Sequence, residues 1–246
     1  EGYIASSTVT AQTDATLTAV QIANTEIATA TGDVTFTAGG LYNLTVTSAG
    51  VIDGTKVVGN IVGGSYVATD AITFDDAAMI ASASFDSGDV ITLDADTDIE
   101  LVNVKANDGA SLTAGEIIDG ATVIANYNDV TMIAGGLVPG AILNSTVTVQ
   151  AGDAILSAVG TFGGPAGIIV NTAVAATGDV VLTAADLDNL TVSSGGAIDG
   201  TAVSNNIVGG SYVATDAITF DAAAMIASAS FDSGDVITLE ALTGNI

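Results

Sequence analysis

The sequence predicts an all-β chain wound as a parallel β-helix, or β-solenoid, with coils of about 19 residues. Three observations predict it. Residues 61–93 recur at 207–239 with a single difference in 33 positions, Asp76 against Ala222. Inside that long repeat a short segment, (Gly/Asn)-Asp-β-x-Leu/Phe-x-Ala, returns at intervals close to 19 residues. Between these segments apolar and polar residues alternate, as at 44–48 and 81–85, which is the pattern of half-buried strands. Two tandem β-sandwich domains divided near 139–145 are the alternative, since they too need many short strands with frequent turns.

The short segments include 32–38, 88–95, 152–158, 178–184 and 234–241. Their aspartates, from Asp14 and Asp33 to Asp216 and Asp235, are spaced by 19, 37, 19, 19, 21, 24, 26, 37 and 19 residues. The intervals of 37 are close to two units, and those of 24 and 26 read as units with insertions. A 19-residue unit cannot bury its own apolar face, so neighbouring units must stack into one core. At about 4.8 Å per stacked strand, roughly 13 coils would make a rod about 60 Å long. Asp53-Gly54, Asp119-Gly120, Asp199-Gly200, Pro139-Gly140 and the Gly-Gly pairs mark corners. The one helical candidate, 77–83, reads equally well as strand.

The long repeat divides the chain into residues 1–142 and a shorter second copy, 143–246, continuous with the first. The offset between copies is 138 near residue 5 and 146 by residue 33, which places an insertion around 160–170. Such insertions emerge as loops, and this one is the expected contact loop of an adhesive module.

Composition narrows function. There are 28 acidic residues against two lysines, Lys56 and Lys105, and a net charge of −26. Nothing is available to neutralise phosphates, so nucleic acid is not an expected partner. The same charge disfavours anionic membrane surfaces, and no apolar run has the length of a membrane-spanning helix, so membrane insertion is not expected either. Hydrophobic residues make up 49 % of the chain, which separates it from disordered acidic segments. Without cysteine there is neither disulfide nor thiol chemistry. Without histidine or arginine there is no usual triad, no imidazole ligand and no bidentate anion clamp. The first residue, Glu1, suits a processed secreted protein or an excerpt of a longer chain.

Four carboxylates are the candidate metal ligands: Asp94, Asp96, Asp98 and Glu100. On one strand they would share a face, and such oxygen ligands suit calcium. The run is not an EF-hand, because Ile99 and Lys105 stand where that loop needs Gly and Glu. Asp75 and Asp76 are the candidate pair for glycoside hydrolysis, but Ala222 replaces Asp76 in the second copy. The recurring aspartates would form a ladder, holding either cations or, more simply, backbone N–H groups of their own turns. Thr-x-Thr at 16–18, 35–37 and 45–47 resembles the arrays of ice-binding solenoids, although most coils lack it. Sequons at Asn43, Asn144 and Asn189 permit glycosylation in a secreted protein.

The segments 32–40, 178–184 and 234–241 resemble the 19-residue repeats of filamentous-haemagglutinin-like secreted adhesins. That resemblance implies a right-handed parallel β-helix at a bacterial surface; the acidic composition fits an extracellular filament or surface-layer protein equally. The function expected is structural: a non-catalytic extracellular filament, surface-layer subunit or adhesin stalk, with no required cofactor and possible calcium binding. Its main partner would be itself, since no polar cap closes Ile246. A module binding a receptor or surface polysaccharide is the second expectation, and a polysaccharide-degrading β-helix enzyme the third.

Overall fold

The computed structural model describes residues 2–136, 138–160 and 166–242. The chain winds through twelve coils, and each coil gives one strand to each of three parallel 12-stranded sheets. Among the described residues there is no helix. Coil 1 consists of the strands Tyr3–Ala5, Thr8–Ala11 and Ala15–Ala19, and coil 12 of Met225–Ala227, Ser230–Ser233 and Ile237–Ala241. All three sheets run through residues 142 and 143 without interruption; Ile118, for example, pairs with Ile142, and Ile142 with Ile169. The β-sandwich alternative is thereby excluded. The count is twelve coils rather than thirteen, because residues 135–140 and 159–167 lengthen two connections without adding strands. The expected helix at 77–83 is the end of one strand, a corner and the strand Ile80–Ala81.

Alternation places the core. In Val34–Ala38, Ile91–Ala95, Ala110–Ala114 and Val130–Ala134 the first, third and fifth residues are buried and the other two half-buried. Equivalent residues stack coil upon coil, as in Ile72–Ile91–Ala110–Val130. The widest side chains are concentrated in two places. Tyr66 stacks on Phe85 at 5.1 Å with Phe74 edge-on to both. Seven coils later Tyr212, Phe220 and Phe231 repeat the arrangement.

Two columns of corner residues hold the coils in register. Between the first and second sheets every coil has one residue with φ between 48° and 68°, from Ser6 to Ser228. Asn, Gly and Ser fill eleven of these positions and Leu101 the twelfth. Asparagine tolerates this left-handed backbone, and its amide reaches the next corner: Asn189 Nδ2 donates to Asn171 Oδ1 at 3.1 Å, and Asn171 Nδ2 to Asn144 Oδ1 at 3.4 Å. Asn43, Asn144 and Asn189, the sequon residues, all belong to this column.

Between the second and third sheets the Gly-Asp segments form the other column. Asp14 Oδ1 accepts from the Asp33 N–H at 3.0 Å, and Asp33 Oδ1 from the Val51 N–H at 2.8 Å. Asp129, Asp153 and Asp179 continue the pattern, each accepting from the coil that follows. The expected bonds within each aspartate's own turn are thus replaced by bonds between coils. The glycine is required by the same contact: a Cβ on Gly50 would overlap the Asp33 carboxylate, and one on Gly178 the Asp153 carboxylate.

Candidate functional site

The four candidate metal ligands do not lie on one strand. Asp94 faces outward from Ile91–Ala95 in the third sheet, Asp96 and Asp98 occupy the corner, and Glu100 belongs to Ile99–Glu100 in the first sheet. The chain turns between them because Ile99 must point into the core beneath Ile118. The face shared by all four, expected from period-two geometry, is therefore absent. Asp98 Oδ1 instead accepts the Ile117 N–H of the next coil at 3.2 Å. Among the described residues no group of three or more acidic side chains is gathered as a metal site.

Asp94 has different neighbours. The strand Ile72–Ala77 carries an extra residue, so that its pairing with Ile91–Ala95 shifts between Phe74 and Ala77. Asp75 and Asp76 fill the bulge and are exposed opposite Asp94. Partial burial raises the Asp94 carboxyl above the usual carboxylate range, and the charges of Asp75, Asp96 and Asp76 push it further in the same direction.

One coil below, a groove of about 610 Å³ opens beside the first coils. Thr18, Thr37, Thr55, Val58, Lys56 and Asp76 are among its lining residues. The strands Ile52–Val57 and Ile72–Ala77 pair through Ile52–Ile72 and Asp53–Thr73, so Lys56 and Asp76 hold corresponding positions. Among the described residues the one ion pair is Lys105–Asp86 at 3.2 Å, which leaves the Lys56 ammonium available to the groove. In the second copy Ala202 and Ala222 replace Lys56 and Asp76, so the two charges are absent together. Sequence reasoning noticed the loss of Asp76 but not its companion. The stacking register was needed to show that the residues belong to one place.

The Thr-x-Thr segments separate onto two faces. Thr16–Thr18 and Thr35–Thr37 are neighbours on the third sheet, while Thr45 and Thr47 face outward on the second. The expected contact loop at 160–170 falls partly on residues 161–165, which lie outside the described residues; Ile168–Val170 beyond it is a regular strand.

Comparisons with protein-family models, with curated proteins and with solved structures found no match to this chain. The resemblance to haemagglutinin-like adhesins therefore stands only as far as the solenoid itself.

Proposed function

We propose that this chain is a structural, non-catalytic β-solenoid that assembles with copies of itself outside the cell, as a filament, a surface layer or the stalk of an adhesin. The observation that carries this reading is the use made of its chemical groups. The recurring carboxylates of the Gly-Asp column and the amides of the asparagine column bond one coil to the next. Repetition of this kind produces length and an even surface. The −26 charge keeps isolated rods soluble and favours association through ends over association through flanks. The absence of cysteine and the acidic composition suit an extracellular setting, and the reading needs no cofactor. Electron microscopy of the purified chain over a range of concentrations tests it. Fibres or sheets with a regular axial repeat are expected, and dispersed short rods at the highest concentrations would overturn it.

A second reading is recognition by the groove beside Lys56 and Asp76. It is favoured by the paired loss of these charges in the second copy, which separates one part of the rod from otherwise duplicated material. An ammonium, a carboxylate and several threonine hydroxyls suit a surface polysaccharide. Glycan-array binding that survives the double substitution Lys56→Ala, Asp76→Ala would overturn this reading.

A further inference from the structure

Within the described residues the solenoid has two open edges. The strands of coil 1 pair only with coil 2, and those of coil 12 only with coil 11. The coil 12 edge leaves apolar core positions uncovered. Ile237 is 42 % exposed, whereas its counterpart Ile91 in coil 5 is fully buried. Coil 12 repeats the core residues of coil 5 from Ile226 to Ala241, including Phe231 for Phe85 and Leu239 for Leu93. The interior of the molecule therefore shows what the coil 12 edge is shaped to receive, because coil 5 is covered there by coil 6.

Coil 6 comprises Ile99–Glu100, Asn103–Ala106 and Ala110–Ala114. Its core residues are reproduced by coil 1 at a constant offset of 95 residues. Ile4, Val9, Ala11, Ala15, Leu17 and Ala19 stand where coil 6 has Ile99, Val104, Ala106, Ala110, Leu112 and Ala114. Ser6 and Leu101 share the same left-handed corner. The seventh core position differs, Ser7 against Val102.

We infer that the coil 12 edge takes the coil 1 edge of a second copy, in the register of the internal coil 5–coil 6 interface. This deepens the self-assembling reading and rests on it. Transferring the internal register sets Phe231 on Val9, Asp232 on Thr10, Ile237 on Ala15 and Leu239 on Leu17 of the second copy. Charge favours the match. Coil 12 carries Asp232, Asp235 and Glu240, while residues 2–20 carry one carboxylate, Asp14. Where Asp86 meets Lys105 inside the molecule, Asp232 meets the uncharged, hydrogen-bonding Thr10. The contact joins two different surfaces by translation along the axis, so it does not close on itself and propagates as a filament.

The chain has no cysteine, so an engineered disulfide can report the register. Adjacent paired strands lie within the Cα separation that a disulfide spans. Thr10 and Asp232 are both exposed and face outward. The double variant Thr10→Cys, Asp232→Cys should give, on mild oxidation, a reducible ladder of dimers, trimers and longer species on denaturing gels. A Thr18→Cys, Asp232→Cys control, with Thr18 on the third sheet, should give none. The variant Asp86→Cys, Lys105→Cys should close the equivalent bond within one chain and confirms that the geometry is competent. Fibres without a Thr10–Asp232 ladder would overturn the register while leaving self-assembly standing. An equal ladder from the Thr18 control would overturn it too, and neither fibres nor ladder would overturn both.

Discussion

The ring of Phe74 lies against the Cα of Gly54 in the preceding coil, in the space where a side chain on Gly54 would stand. Gly200 and Phe220 repeat the relationship in the second copy. The Asp-Gly pairs at these positions read as turn signals in sequence, yet Gly54 and Gly200 lie inside the strands Ile52–Val57 and Ile198–Val203. They are glycines because the next coil carries phenylalanine. Gly54→Ala should therefore cost about 3 kcal/mol or more, the upper end of overpacking penalties. Adding Phe74→Leu should recover part of that loss. A double-mutant cycle by chemical denaturation checks it, with a coupling energy of about 1–3 kcal/mol expected.

Leu101 is the exception in the left-handed corner column. It is 63 % exposed and holds φ at 51°, which is unfavourable for a branched side chain. Leu101→Asn should stabilise the fold by about 1 kcal/mol by removing that strain. A rise in melting temperature of about 2–4 °C is the corresponding readout, and Asn43→Leu should show a loss of similar size.

The period-two alternation, the 19-residue spacing and the duplication were enough to read the fold, because every coil meets nearly the same environment. Local spacing does not reveal what passes between coils. The Asp33 carboxylate bonds to the coil after it, and no pattern within its own turn announces that. The corner between Asp94 and Glu100 carries no glycine or proline, so the run read as a straight strand until burial of Ile99 showed where the chain must turn. Lys56 and Asp76 are 20 residues apart and look unrelated until the strands that carry them are paired.

The hydroxyls of Tyr66 and Tyr212 are buried and lack a hydrogen-bond partner among the described residues. Burial raises the pKa of both, with the Asp188 charge adding to the effect at Tyr212. The aromatic stacking with Phe85 or Phe231 does not involve the hydroxyl. Tyr66→Phe should therefore stabilise by about 1 kcal/mol, the desolvation cost that the lone hydroxyl imposes. The two sites are seven coils apart, so the Tyr212→Phe gain should add to it. Thermal melts of the two single variants and the double variant measure both expectations.

Asp94 should make the molecule less stable as the solution becomes less acidic. Its carboxyl titrates higher in the folded chain than in the unfolded one, so the folded state holds the proton more tightly. Stability from this group is greatest below the unfolded carboxylate pKa and declines as pH rises through the folded value. Asp94→Asn removes the charge that Asp75, Asp96 and Asp76 oppose. It should raise the melting temperature at neutral pH and leave it unchanged in strong acid, where all four carboxyls are protonated. Solvent screening keeps the gain below about 1 kcal/mol. The comparison that decides is the pH profile of the difference between variant and parent. A difference confined to neutral pH supports electrostatic repulsion at the bulge, and one that persists at low pH assigns the effect to packing.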